Sequence, residues 1–377
     1  MNTRTIGKNK DVSILGFGCM RLPVIDGDNA NIDIEEAKKQ VRYAIDHGIN
    51  YIDTAYPYHG GNSEMFVAQA LKDGYREKVY LATKLPSWLV KTREDMDKFL
   101  DEQLAKLEID HIDYYLLHAL NRGSWANYLE CDVFDFIEKA QASGKIKHIG
   151  FSFHDDYPIF ETIIKAYDWD FCQIQLNYFD EEYQAGLKGL KLAGSLGIDV
   201  VIMEPLRGGR LATEGPEEIQ NIWAKSNTKH TPAGWALRYL WNYPEVKVIL
   251  SGMNNMDHIK DNIFEASQAE VGMLTSEEVA LIQEAKHAYK ARIKVDCTNC
   301  KYCMPCPNGV NIPGNFTFYN NAFIFDDIEL FKNQLKNFMK EDSWADKCIS
   351  CGECLSKCPQ NIQIIDELAN VADLFLR

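Results

Sequence analysis

Short unbroken apolar runs, separated by amphipathic stretches, fill about the first 290 of this chain's 377 residues. Eight runs stand out: Ile14–Gly18, Asn50–Thr54, Val79–Lys84, Tyr114–His118, His148–Phe153, Phe171–Asn177, Val200–Glu204 and Val246–Ser251. Their apolar residues are contiguous rather than alternating, the pattern of parallel strands buried on both faces. Between them the spacing predicts helices. Ile34–His47 ends at Gly48, a favoured residue for leaving a helix, and Thr92–Leu107, Val133–Ser143 and Pro232–Trp241 have the same character. Eight β–α repeats over this length predict an α/β chain folded as a (β/α)8 TIM barrel. A doubly wound sheet is the competing arrangement, but it usually opens with a G-x-G-x-x-G turn after its first strand. The segment L-G-F-G-C-M-R-L-P at Leu15–Pro23 lacks that spacing.

Beyond residue 290 the pattern breaks, and cysteine takes over. Only Cys19, Cys131 and Cys172 of the eleven cysteines precede Cys297; the other eight fall between Cys297 and Cys358. A disulfide-stabilised secreted protein would spread its cysteines and carry a signal peptide. Met1–Asp11 is polar and has no apolar core of that kind. Clustered thiols therefore read as metal ligands.

The second run, C-I-S-C-G-E-C-L-S-K-C-P from Cys348, has the C-x2-C-x2-C-x3-C-P spacing of two-cluster ferredoxins. The first, C-T-N-C-K-Y-C-M-P-C-P from Cys297, is one residue short before its last cysteine. Three thiolates in a tight loop hold three corners of a cubane, while the cysteine before proline reaches the other cluster. The expectation is two [4Fe–4S] clusters. Cys297, Cys300, Cys303 and Cys358 would hold one; Cys348, Cys351, Cys354 and Cys306 would hold the other. Zinc is the alternative for paired C-x2-C motifs, but it leaves three evenly spaced cysteines in a row unexplained. The 41 residues between the runs look helical, notably Asp327–Met339, so this segment resembles the α-helical ferredoxins. Residues 1–288 and 289–377 are the expected domains, the second small, mostly helical and ferredoxin-like.

Hydrophobic residues make up 46% of the chain and charged residues 25%, an ordinary globular balance. A net charge of −15 argues against nucleic acid or an anionic membrane as partner. No run approaches the ~20 apolar residues needed to span a bilayer. A cytoplasmic location is expected.

Side chains at the C-terminal ends of barrel strands face the catalytic mouth. Those ends carry Asp53, Lys84 and His118, with Tyr58 on the loop after Asp53. Tyrosine is a poor acid at neutral pH, with an ordinary pKa near ~10. A neighbouring ammonium favours its ionised form and lowers that value. A carboxylate would hold the ammonium in place, and a histidine would orient a substrate oxygen. Taken singly, Asp53 and Lys84 would be a structural ion pair and His118 a core histidine. Four such residues around one mouth weigh towards a proton-donating centre.

With these motifs the first domain resembles the aldo-keto reductases. The resemblance runs through L-G-F-G-C-M-R-L-P, N-Y-I-D-T-A-Y-P-Y, L-A-T-K, D-Y-Y-L-L-H, I-G-F-S, M-E-P-L-R-G-G and I-L-S-G-M with the N-N-M-D-H-I-K-D-N that follows. It implies a tetrad of Asp53, Tyr58, Lys84 and His118, with Tyr58 as proton donor. It implies that a nicotinamide lies across the mouth, its amide held by Ser152 and Gln173, with Gly18, Met20 and Asp53 near the same end. Pro205, Leu206 and Gly208, then Ser251, Gly252, Met253, Asn254, Asn255 and Asn262, would line the pyrophosphate and adenosine ends. Three departures from many members stand out. Phe153 stands where Asn is common, Met203 where an aromatic stacks on the nicotinamide, and Asn254 and His258 where Lys or Arg grips a 2′-phosphate. The cofactor is accordingly left open as NADPH or NADH.

The expected activity is reduction of a small carbonyl compound to an alcohol, or the reverse, with Trp88 and the Leu120–Trp125 loop shaping the pocket. Two rivals remain. One is a cofactor-sensing binding module with structural clusters, which would not need Tyr58 and Lys84 together. The other is an electron-transfer enzyme served by ferredoxin or another carrier, for which no flavin site is evident.

Overall fold

A computed structural model describes residues 1–7 and 9–377. Ten strands form: β1 (Thr3–Ile6), β2 (Asn9–Ser13), β3 (Leu15–Gly18), β4 (Tyr51–Asp53), β5 (Tyr80–Leu85), β6 (Ile112–Leu120), β7 (Ile146–Phe153), β8 (Phe171–Gln175), β9 (Asp199–Met203) and β10 (Val246–Ser251). β3 to β10 close into a parallel eight-stranded barrel in chain order, β10 pairing with β3. All eight apolar runs are strands, so the (β/α)8 architecture stands. The lengths differ at the edges: β6 begins two residues earlier than its apolar run and continues to Leu120, because Ile112 and Leu120 also pair with β7.

The hairpin β1–β2 has no counterpart in the expected elements. Its strands carry Thr, Arg, Asn, Lys and Asp, and most of these stay at least partly exposed. Only Ile6, Val12 and Ser13 are buried. Ile6 and Val12 join Tyr51, Ala82, Tyr114, Phe171, Val201 and Val248 in one apolar cluster. Polar groups hold the hairpin there as well. Asn9 donates to the Tyr114 hydroxyl at 2.7 Å, that hydroxyl donates to the Ile6 carbonyl at 3.1 Å, and the Gly7 N–H donates to Asp199 at 2.7 Å.

Two compact units emerge: Met1–Ala212 with His230–Val279, and Thr213–Lys229 with Ala280–Arg377. The second is helical. Ile312–Ile324 is capped by Asn311, whose side chain accepts from Gly314, and Ile328–Phe338 by Asp327, which accepts from Leu330. A third helix, Ile364–Phe375, occupies what sequence alone shows only as a short tail. It buries Leu368, Val371 and Phe375, and Phe375 lies 6.2 Å from the Tyr319 ring. Four of the clustered cysteines, Cys297 to Cys306, sit on an irregular loop before the first of these helices, and the other four, Cys348 to Cys358, on another between the second and third.

One glycine of the I-G-F-S motif has a packing cause. A Cβ on Gly150 would lie 2.5 Å from the Phe171 carbonyl and 2.7 Å from its ring, because β7 and β8 pair at that point. Neither the backbone nor a ring wedged in a closed barrel can retreat. Gly150→Ala is expected to destabilise the barrel by about 1–3 kcal/mol, lowering its thermal midpoint by about 2–10 °C. An unchanged melting curve would contradict this packing.

Candidate active site

The barrel brings Asp53, Lys84 and His118 together because β4, β5 and β6 are neighbours in the sheet. Lys84 is fully buried and Asp53 nearly so. The Lys84 ammonium lies 2.8 Å from each Asp53 carboxylate oxygen and 2.8 Å from the Thr54 carbonyl, so all three of its N–H donors have acceptors. Tyr58 lies on the loop after β4, at the start of a kinked turn, Tyr58–Gly61, in which His59 and Gly60 take left-handed backbone (φ 54° and 64°). Its ring centre is 5.1 Å from the ammonium and 6.3 Å from the His118 ring, with the planes at 78°. All four residues expected at the mouth share one site.

The charges in this site are set by burial against Lys84. Burial pushes the Asp53 carboxyl up, and the opposing pull of the ammonium offsets this only in part, leaving it above its ordinary value. Burial alone would lower Lys84, but Asp53 and then Tyr58 outweigh it and leave it above its ordinary value. The pair therefore remains an ion pair. Tyr58 corrects a sequence expectation. The ammonium does pull its pKa down, yet burial is the larger effect and leaves the phenol above its ordinary value. Burial, then Lys84 and His154, push His118 well below its ordinary value, so its imidazole is neutral. Its Nδ1 is buried without a protein partner.

A layer of polar residues behind the site escapes sequence analysis. Glu64 is buried and accepts from Thr83 at 2.7 Å and Gln103 at 2.6 Å. Gln103 also donates to the Lys84 carbonyl at 3.0 Å and accepts from the Tyr115 hydroxyl at 2.7 Å. His59 faces the Asn29 carbonyl at 2.7 Å and accepts from the Leu22 N–H at 3.2 Å, tying down the loop after β3. The only sequence signal was a polar residue at an inward helical position, as with Glu64 and Gln103.

The residues assigned to the cofactor fall on the same face. Gly18 ends β3, and a Cβ there would meet the Ser251 carbonyl at 3.5 Å. Met20 is half-exposed beyond it. Ser152 is buried and its hydroxyl accepts from the Ala119 N–H at 2.7 Å. Gln173 is buried on the neighbouring strand, its amide nitrogen 3.5 Å from the Met203 sulfur and its amide oxygen unpartnered. An orphaned buried acceptor there fits a carboxamide donor from a ligand. Pro205, Leu206 and Gly208 follow β9, Gly208 with φ of 66° and Gly209 with 90°. Asn262 donates to Ser251 at 3.0 Å. Gly252, Asn254 and His258 are exposed and Met253 is buried. Asn255 caps the helix Met256–Gln268 by accepting from the His258 N–H. Phe153, where many relatives have Asn, is instead core, packed on Phe160 at 5.2 Å.

Beside His118 a cavity of about 410 Å3 is lined by Ser87, Trp88, Val90, Ala119, Asn121, Ser124 and Asn127. Trp88 is half-exposed, its ring 5.2 Å from His118. The expected Leu120–Trp125 loop contributes less than its length suggests. Leu120 ends β6 and Trp125 lies in a helix, both buried, so only Asn121 and Ser124 of that stretch line the cavity.

The cysteine loops form two adjoining hollows. One is lined by Cys297, Cys300, Cys303 and Cys358, the other by Cys306, Cys348, Cys351 and Cys354, with Cys303 bordering both. The thiols felt by Cys297 are Cys300 and Cys358; those felt by Cys354 are Cys348, Cys351 and Cys306. None of them is in a disulfide. Among the described residues no set of three or more His, Cys, Asp or Glu is drawn in tightly enough for a single metal ion.

Comparison with known proteins agrees with this picture. The aldo/keto reductase family model matches residues 14–287, and a 4Fe-4S dicluster domain matches residues 296–362. The chain belongs to the aldo/keto reductase family: it is an oxidoreductase whose barrel is joined to an iron–sulfur domain. It is 27% identical to L-galactose dehydrogenase of Arabidopsis thaliana over 300 residues, covering 73% of this chain and 92% of that protein. It is 30% identical to the aldo-keto reductase yakc [NADP(+)] of Schizosaccharomyces pombe over 231 residues, 58% of this chain and 65% of that one. The holo form of aldo-keto reductase AKR11C1 from Bacillus halodurans superposes with a TM-score of 0.63 at 26% identity, covering 76% of this chain and 96% of that one. No helix among the described residues is long and apolar enough to cross a membrane.

The raised phenol has a direct readout. In ultraviolet pH titrations of the cofactor-free protein, wild type minus Tyr58→Phe is expected to show a phenolate band only at higher pH than an ordinary tyrosine, because burial disfavours the ionised form more than Lys84 favours it. A phenolate appearing near neutral pH would mean that Lys84 outweighs burial.

Proposed function

We propose that the barrel reduces an aldehyde or ketone to its alcohol with NADPH or NADH, or runs the reverse oxidation, with Tyr58 as proton donor. The observation that carries this is the fully buried ammonium of Lys84, saturated by Asp53 and Thr54, beneath a tyrosine and beside a neutral histidine. A bound nicotinamide supplies the hydride. Tyr58 gives its hydroxyl proton to the substrate oxygen as that oxygen gains charge, and Lys84 stabilises the phenolate left behind. Asp53 keeps Lys84 charged and aimed. Neutral His118 can donate to the same oxygen without adding a charge. Ser152 and the unpartnered oxygen of Gln173 would hold the carboxamide. Gly18, Met20 and Asp53 would flank the nicotinamide, Met203 would pack on it, and Pro205, Leu206, Gly208, Ser251, Gly252, Met253, Asn254, His258 and Asn262 would line the remaining groove. The name of the yeast relative, which includes NADP(+), supports a dinucleotide here.

The functional division stays at residues 1–288 and 289–377. In the second part, Cys297, Cys300, Cys303 and Cys358 would bind one [4Fe–4S] cluster and Cys306, Cys348, Cys351 and Cys354 the other. The two hollows lined by these sets support the exchange of fourth ligands, even with the shortened first run. Such clusters supply one-electron traffic when bound. We infer that they exchange electrons with an external carrier such as ferredoxin, while the small carbonyl compound is the barrel's own substrate.

Tyr58→Phe is expected to lower carbonyl reduction by about 10²–10⁴-fold while leaving cofactor affinity nearly unchanged. Near-normal turnover would sink the tetrad assignment. For the clusters, anaerobic reductive titration followed by electron paramagnetic resonance should show two interacting reduced centres. Cys351→Ser should remove one signal and block exchange with ferredoxin or a dye, while NAD(P)H-driven reduction survives. Clusters that no physiological donor reduces, in a protein that still turns over, would leave them only a structural role.

A further inference from the structure

The groove's adenosine end borders a fixed charge that carbonyl chemistry does not use. The helix Ile34–Asp46 carries Glu36 in its first turn. Gln40, one turn further, is only 2% exposed. Its amide nitrogen donates to the Glu36 carboxylate at 3.0 Å and to the main-chain carbonyl of Asn254 at 3.4 Å. Its amide oxygen is buried without a partner, so these two acceptors set the amide's orientation. The Glu36 carboxylate is thereby held two hydrogen bonds from Asn254, on the turn that opens the helix Met256–Gln268.

That turn is where a TIM barrel ordinarily receives phosphate: the loops after its last two strands and a helix N-terminus beside them. Here it presents Asn254, Asn255 and His258; Lys260 comes a turn later along it, and Arg21, whose stem packs on Gly252, directs its guanidinium towards Gly208 and Glu204. Glu36 is about 39% exposed, and bonds from Gln40 and then Lys39 hold its carboxyl below the usual value, so it is an anion at neutral pH. Lys39 meets its outer oxygen at 3.2 Å, but both groups are well exposed, and such pairs are weak and screened.

We propose that Glu36, held by Gln40, is a charge filter on the adenosine ribose that disfavours a 2′-phosphate and leaves a 2′-hydroxyl unopposed. Resting on the dinucleotide reading above, this makes the protein selective for NADH. A 2′-phosphate carries nearly two negative charges. Its repulsion by a carboxylate several ångströms away through water is worth about tenfold in affinity. The bias should shrink as salt rises, as for any exposed charge pair.

The test is the pair of dissociation constants for NADH and NADPH, read by fluorescence on the anaerobically purified full-length holoprotein. Glu36 lies outside the catalytic set and on the surface, so Glu36→Gln and Glu36→Lys should fold; circular dichroism checks this. The expected result is a wild-type preference for NADH, a gain in NADPH affinity of about tenfold in Glu36→Gln and more in Glu36→Lys, and NADH affinity nearly unchanged. A selectivity ratio unmoved by Glu36→Lys would overturn the filter alone. So would a wild-type preference for NADPH that Lys39→Ala abolishes, since this corner would then grip phosphate. A wild-type protein that binds neither dinucleotide would remove the filter and the cofactor reading together.

Discussion

An ammonium and a carboxylate buried at the mouth of a closed barrel are costly unless each fully satisfies the other, and Lys84 and Asp53 meet that condition. Every N–H of Lys84 has an acceptor at 2.8 Å, two of them on Asp53. Removing one partner of such a pair typically costs about 3–5 kcal/mol, because the other charge is left uncompensated. The surrounding structure is arranged to keep that geometry. β4 and β5 pair side by side, Gln103 holds the Lys84 carbonyl, and Glu64 and Thr83 hold Gln103. The ionisation of Tyr58 and His118 responds to this charge. One group feels the ammonium as a pull toward ionisation, the other as a penalty against protonation.

The helical unit depends on a different constraint. Its cysteine loops have no regular structure, and its own apolar packing comes from helices contributing Phe316, Phe331, Leu335, Leu368 and Phe375. A module of this size gains much folding free energy from metal–thiolate bonds. The thiols nonetheless line two adjoining hollows, one with Cys297, Cys300 and Cys358, the other with Cys306, Cys348, Cys351 and Cys354, and Cys303 bordering both.

Much of this was legible in the sequence because the signals are local. Contiguous apolar runs identify parallel strands whatever their partners, which is why all eight barrel strands were found. Residues at strand ends face the mouth by the geometry of the fold alone, so Asp53, Lys84 and His118 could be grouped before any coordinates. Cysteine spacing points to the iron–sulfur domain in the same way, since two intervening residues set the reach between neighbouring thiols.

What only the tertiary structure decided involves residues distant in sequence or opposing forces of similar size. The hairpin β1–β2 is polar along most of its length, and its place became evident only from Ile6 and Val12 meeting residues from six other strands. Glu64, Gln103 and His59 carry no motif, and each acts through bonds to segments 19 to 39 residues away, or 30 to 37 for the histidine. The Tyr58 phenol is a contest between a nearby cation and loss of water. Sequence identifies the cation, but the depth of burial, which wins here, exists only once the barrel has closed.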